Sequence, residues 1–196
     1  MTNNIIILDD VIPQRYQDEI EKAMIGENNS TAWFLQHDIS YNNQRTDIKM
    51  ENKTPGFSHV FFNESGVVSG LFNFMLPMVY TALDKDNKEL KQILLARSFL
   101  QFPGTNSKKN NPHVDLESDH LVCLYYVNEA DGDTVIYNET FQDISKDNLK
   151  LENLTILKQV SPKKGRVILF QGNHYHSSST PTTGLRCIIN FDVLTS

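Results

Sequence analysis

Positive charge is what this chain is short of: 18 lysines and arginines stand against 24 aspartates and glutamates, a formal net charge of −6. That balance leaves no electrostatic footprint for gripping a phosphate backbone, so nucleic acid is not an expected partner, the Lys108-Lys109 pair notwithstanding. Cysteine is scarcer still, with only Cys123 and Cys187, each inside an apolar run. They suit buried thiols in a reducing compartment better than a disulfide framework, which points to a cytoplasmic protein. No apolar segment approaches membrane-spanning length, and Met1-Thr2-Asn3-Asn4 lacks the basic start and apolar core of a secretion signal. Internal repeats and linker-like stretches are missing too, so residues 1–196 read as one domain.

An apolar share of 39% and a charged share of 21% are enough for an ordinary globular core. Ile5-Ile6-Ile7-Leu8 predicts a short strand. Pro13 to Ile25 predicts a helix, with Tyr16, Ile20, Ala23 and Met24 at three- and four-residue intervals and Gly26 as its stop. Thr31 to Ile39 and Phe57 to Phe62 read as strands on either side of a polar loop, Tyr41 to Gly56. Leu71 to Leu83 has helical periodicity, although Pro77 calls for a kink or an irregular turn. Strand patterns then follow one another: Gln92 to Phe102, the continuous apolar run Leu121 to Val127, Thr134 to Tyr137, Thr155 to Val160, Arg166 to Phe170 and Leu185 to Val193. Phe141 to Leu154 is a polar excursion with at most a helical turn. Residues 1–90 thus supply helical support and flanking strands, and 91–196 a β core. The expected class is mostly β with flanking helices (α+β), and the strand spacing suits a jelly-roll sandwich or barrel that holds a small ligand between its sheets.

The chemistry begins at Asn111-Pro112-His113-Val114-Asp115. In extended backbone alternate side chains share a face, so His113 and Asp115 form half of a metal site. One more histidine gives two imidazoles and a carboxylate, the facial set that holds Fe(II) and leaves its other side open. An H-x-D alone recurs by chance as a polar surface pair. Here it is followed by Pro162-Lys163-Lys164-Gly165, then by His174 and His176, and then by Arg186.

Together these residues resemble the Fe(II)- and 2-oxoglutarate-dependent dioxygenases, in particular the prolyl 4-hydroxylase-like branch with its hypoxia-type prolyl hydroxylases. The similarity runs from Phe102 to Asp192: His113-Val114-Asp115, Cys123-Leu124-Tyr125-Tyr126-Val127-Asn128, Asp131-Gly132-Asp133-Thr134, then Pro162-Lys163-Lys164-Gly165-Arg166-Val167-Ile168-Leu169-Phe170, His176 and Arg186. The resemblance implies a double-stranded β-helix with iron at one mouth and 2-oxoglutarate inside. It also implies that Arg186 pairs with the far carboxylate of that cosubstrate, that Tyr126 donates to the same carboxylate, and that Thr134 lines the pocket. Leu124 shares a strand face with Tyr126, and Arg186, Ile188 and Asn190 share another, so the pocket has apolar walls and a polar end. The chain departs from the pattern at Phe102-Pro103-Gly104, where hypoxia-type enzymes carry Tyr-Pro-Gly, and at Ile188, where an R-x-S signature would place serine.

The ten-residue interval from His176 to Arg186 and the Ser177 to Pro181 tail match the family, which selects His176 over His174 as the distal ligand. The expected ligands are therefore His113, Asp115 and His176, with Fe(II), 2-oxoglutarate and O2 as cofactor and cosubstrates and a peptide or small molecule as substrate. His37, His59 and His120 read as surface or core histidines and Tyr125 as packing; Arg97, on a strand before the motif, is within reach of a substrate but reads first as a solvated strand charge. Two other readings compete: a cupin-like metalloenzyme without a keto acid, and a non-catalytic jelly-roll binding module.

Overall fold

The computed structural model describes residues 5–27, 31–39, 54–145 and 149–196. Most of the predicted loop from Tyr41 lies outside them. In chain order the elements are β1 (Ile6–Leu8), α1 (Gln14–Ile25), β2 (Phe34–Gln36), β3 (Gly56–Asn63), β4 (Gly66–Val67), α2 (Phe72–Lys85), β5 (Leu90–Gln101), β6 (Leu121–Tyr126), β7 (Thr134–Thr140), β8 (Ile156–Val160), β9 (Val167–Gln171), β10 (His174–Ser178) and β11 (Arg186–Thr195). All described strand pairs are antiparallel. The larger sheet runs β1-β9-β6-β11-β5-β3-β2, with β4 beside β3, and a three-stranded sheet runs β10-β7-β8.

Strand parity sorts the side chains into layers. On β6, Leu121, Cys123 and Tyr125 join Cys187, Ile189 and Phe191 of β11 beneath Ile20 and Met24 of α1 and Met75, Met78 and Val79 of α2. The alternate residues Val122, Leu124 and Tyr126 meet Ile188, Ile168 and Phe170, with Ile136 and Val160 arriving from the smaller sheet. A third cluster, Val114, Val135, Tyr137 and Tyr175, is covered by Phe141, Ile144, Leu149 and Leu154 from the polar excursion. Every residue of β6 is buried, which is why its sequence is an unbroken apolar run. The expected mostly β class with flanking helices is the one observed.

Three local results differ from the reading of the sequence or sharpen it. Helix α2 continues through Pro77. Pro77 is on the exposed side of the helix, where the carbonyl that loses its N–H partner can be solvated. The helical turn in the excursion is a single 3-10 turn, Leu151–Asn153. The His174 segment, which the sequence pattern did not mark as a strand, is β10.

The Pro162 to Gly165 turn fastens the helical layer to the sheet. Gly165 has φ +79°, and a Cβ there would lie 2.3 Å from Gln17 Oε1, so a side chain is excluded by both backbone and space. Gln17 is itself buried and donates to Ile12 O at 2.9 Å. Nearby, Arg166 donates to both oxygens of Asp9, from Nε at 2.7 Å and from Nη2 at 3.1 Å, and Lys163 Nζ adds a third contact at 3.0 Å. The hydrogen bond from Arg166, opposed by burial and helped by Lys163, holds the Asp9 carboxyl at about 2 against an ordinary 3.8. A carboxyl with a depressed folded-state pKa stabilises the fold above its unfolded value and loses that contribution as pH falls through the folded one. Because Asp9 is 37% exposed, screening limits the effect to about 1 kcal/mol or less. Asp9→Asn should therefore lower unfolding free energy at pH 7, and the deficit should shrink between pH 3.8 and 2. Denaturant melts across that range check it; a deficit independent of pH would contradict it.

Candidate metal centre and pocket

His113 and Asp115 lie outside the named strands, in the connection from β5 to β6, which corrects the expectation of a strand. Their alternation survives because the segment is pinned to β10 by an isolated antiparallel bridge: His113 N–H donates to His176 O and His176 N–H to His113 O, both at 2.9 Å. Val114, between them, points away into the third apolar cluster. The bridge places the two imidazole rings 4.6 Å apart at their centroids.

His113, Asp115 and His176 each offer a ligand atom within 4.8 Å of the others. His176 Nε2 lies 3.4 Å from Asp115 Oδ2, and His113 Nε2 lies 4.0 Å from Asp115 Oδ1. In each histidine Nδ1 faces a backbone carbonyl, Asn111 O at 3.2 Å for His113 and His174 O at 3.3 Å for His176. That contact calls for the proton on Nδ1 and leaves the Nε2 lone pair for a metal. Burial, then the neighbouring His176, pushes the His113 imidazole down to about 4, so at neutral pH it is the uncharged form a metal requires. Burial alone would raise the Asp115 carboxyl, but Arg97 and then His176 outweigh it and keep it well below its usual range. Two imidazoles and one carboxylate could hold a single divalent ion of the iron type.

His174 does not join them. The β10–β7 register shifts between His174 and His176, and His174 is buried with Nδ1 2.8 Å from Tyr137 O.

The trio lies at one part of a pocket of about 450 Å³, open mouth included, which Leu124, Ile188 and Phe99 line with apolar surface and which also touches Thr134 and Arg186. Arg186 is 3% exposed. Its Nε donates to Gly132 O at 2.6 Å, Nη1 to Gln101 Oε1 at 3.1 Å and Nη2 to Thr134 Oγ1 at 2.8 Å. No carboxylate pairs with it among the described residues, and burial lowers its pKa. Gly132 permits this approach, since a Cβ there would sit 2.4 Å from Ser179 O and 3.0 Å from Arg186 Cδ. Tyr126 does not line the pocket: its hydroxyl donates to Thr134 Oγ1 at 2.7 Å and so reaches the Arg186 end through that threonine. Burial pushes the Tyr126 phenol up to about 12, which keeps it a donor. Phe102, in place of the family tyrosine, is 52% exposed and packs its ring edge on Phe57, away from the pocket.

No family model and no curated protein matches the sequence. Solved structures do match the fold. A prolyl hydroxylase from Trichoplax adhaerens, solved with a peptide fragment of the hypoxia inducible factor oxygen degradation domain, is 14% identical, with a TM-score of 0.60 over 98% of this chain and 84% of that one. An oxidoreductase of the 2OG-Fe(II) oxygenase family from Burkholderia pseudomallei is 9% identical, with a TM-score of 0.61 over 96% and 84%. The fold is that of the 2-oxoglutarate- and Fe(II)-dependent oxygenases. A viral collagen prolyl hydroxylase from Paramecium bursaria Chlorella virus-1, in complex with 2-oxoglutarate, shares it at 11% identity and a TM-score of 0.52, over 96% and 94%. At these identities the likeness is one of fold, and the oxygenase fold here carries the His-Asp-His trio on residues of its own.

Sequence reasoning missed the residues behind the trio. Arg97 is not a solvated charge: its Nη2 donates to Asp115 Oδ1 at 2.7 Å. Asn190 Nδ2 donates to Asp115 Oδ2 and to Asp192 Oδ1, each at 3.1 Å. The β5–β11 register sets Arg97 opposite Asn190, a pairing no local pattern reveals. Asp192 had a visible signal, since it continues the 186, 188, 190 face as a charged residue inside an apolar strand.

As a candidate metal centre the trio has a direct test. His113→Ala, Asp115→Ala and His176→Ala should each abolish tight Fe(II) binding in anaerobic dialysis, while His174→Ala should retain it. Retention by His176→Ala with loss in His174→Ala would contradict the assignment.

Proposed function

We propose that this protein is an Fe(II)- and 2-oxoglutarate-dependent dioxygenase that hydroxylates a C–H bond of a peptide or small-molecule substrate. The observation that carries the reading is Arg186. A guanidinium buried without an anion is unfavourable, and this one faces a pocket that also touches three metal-type ligands. A dicarboxylic keto acid answers both features, with its 1-carboxylate and keto oxygen toward the metal and its 5-carboxylate toward Arg186. A cupin-like site without such an acid leaves Arg186 with no anionic partner among the described residues.

His113, Asp115 and His176 would hold Fe(II), which when bound supplies O2 activation coupled to keto-acid decarboxylation, so that substrate, O2 and 2-oxoglutarate become hydroxylated product, succinate and carbon dioxide. The chain's own part is binding, orientation and exclusion of water. Asp115 contributes the one anionic ligand, and the two imidazoles turn Nε2 to the metal because their Nδ1 protons face carbonyls. Arg186 supplies paired donors to the far carboxylate. Thr134 Oγ1 accepts from both Arg186 and Tyr126, so its own proton is free to point at that carboxylate. Leu124 and Ile188 keep the space between dry, which strengthens the polar contacts at the far end.

Substrate would enter on the open side of the metal. A prolyl residue of a peptide fits the prolyl hydroxylases that share this fold, one of them solved with a peptide. Among the described residues, the connection at 104–111 would help to choose the substrate.

Arg186→Leu tests the reading. Two charge-assisted hydrogen bonds contribute roughly 1.5–3 kcal/mol each, so their loss should weaken 2-oxoglutarate binding by about a hundredfold or more. Thr134→Val and Tyr126→Phe should weaken it less, because the cation remains. Anaerobic calorimetric titration of 2-oxoglutarate into the iron-loaded proteins measures this. Equal affinities in wild type and Arg186→Leu would remove the keto acid from the account.

A further inference from the structure

Behind Asp115 lies a second carboxylate that the reaction does not use. The Asp192 side chain is fully buried, with Arg97 Nη2 3.8 Å from its Oδ2 and His120 Nε2 3.7 Å from its Oδ1. Arg97 therefore stands between two carboxylates, touching Asp115 Oδ1 at 2.7 Å, while Asn190 Nδ2 spans the same two groups from the neighbouring strand. The Arg97 guanidinium also lies 5.2 Å from the centre of the Phe99 ring. Burying a second carboxyl group beside an ion pair is costly, and a hydrophobic residue at 192 would fill the space without that cost.

Building on the metal site proposed above, we propose that Arg97, anchored by Asp192, is a positioning residue that holds Asp115 as a one-oxygen metal ligand. Arg97 occupies Oδ1, and Oδ2 is the oxygen nearer His176 Nε2, at 3.4 Å. Turning the carboxylate to present both oxygens to the metal would break the Arg97 contact and the Asn190 contact together. The constraint matters because an octahedral ion has about six positions. Three protein atoms and a bidentate keto acid fill five, and a second oxygen from Asp115 would take the place that dioxygen needs. Asp192 explains why Arg97 stays: its buried carboxyl group, which burial and then Asp115 push well above the usual range, is a polar partner on the far side of the guanidinium and fixes where it stands.

Charge alone and the clamp are told apart by the coordination count. Removing a cation beside a metal ligand should tighten Mn(II) binding in either case. Only the clamp expects Arg97→Gln to free Asp115 to present both oxygens and so to displace a metal-bound water. The experiment titrates Mn(II) into the full-length wild type, Arg97→Gln, Arg97→Lys and Asp192→Asn, reading free Mn(II) by EPR and counting metal-bound waters by pulsed EPR in oxygen-17 water. Wild type should hold about three waters, the positions left by three single-atom ligands, and Arg97→Gln fewer. Arg97→Lys should restore the third water in part, and Asp192→Asn, close in shape, should shift the water count in the direction of Arg97→Gln. Three waters in Arg97→Gln, at whatever affinity, overturn the clamp while leaving the metal site intact. If circular dichroism shows Arg97→Gln unfolded, wild-type behaviour in Asp192→Asn overturns it equally. Wild type that binds no Mn(II) overturns the metal site, and this inference with it.

Discussion

Two main-chain hydrogen bonds between His113 and His176 hold the candidate centre together. They tie a connection that belongs to no named strand to the first strand residues after the turn at Gly172, and in doing so bring the imidazoles together while Val114 is drawn into the core. Neither partner alone defines the site. The pocket, the trio and the hydrogen bonds on each Nδ1 follow from closing that bridge, because each Nδ1 faces a carbonyl of the same two segments.

From the bridge inward, polarity is arranged by depth. Leu124 and Ile188 separate the metal-type donors from Arg186, which is held by Gly132, Gln101 and Thr134 and paired with no carboxylate among the described residues. Three neutral acceptors orient a guanidinium without neutralising it, so the cation stays available to an anion that enters the pocket. Behind the trio the logic is reversed: Arg97 is paired with Asp115, with Asp192 on its other side, and that charge is internal. The same residue type thus serves a ligand at one end and the frame at the other.

Much of this was legible in the sequence. The alternation of β6 and β11 separated pocket-facing from helix-facing residues correctly, because a strand buried on both faces still obeys period two. H-x-D was recognised for its alternation, although the backbone there is held by a bridge and not by membership of a strand. Spacing preferred His176, and the structure adds a physical reason in the register shift that sets His174 on Tyr137 O. Arg97 was misread because a lone arginine on a strand carries no local sign of its partner. Its role depends on contacts across 18 residues to Asp115 and across the β5–β11 ladder to Asn190. Tyr126 was expected at the pocket wall; it lies behind the lining, and its link to Arg186 through Thr134 is a matter of side-chain reach that strand parity does not resolve.

The claim that ties these parts together is that one metal and one keto acid bind jointly, the metal at the trio and the acid between it and Arg186. Anaerobic visible absorption tests that claim most directly, because an Fe(II)–keto-acid chelate has a weak charge-transfer band that neither partner shows alone. The band should appear when 2-oxoglutarate is added to the iron-loaded wild type, and should be absent from His176→Ala under the same conditions. A wild type that binds Fe(II) but gives no band with 2-oxoglutarate, at concentrations that saturate related chelates, would contradict the account.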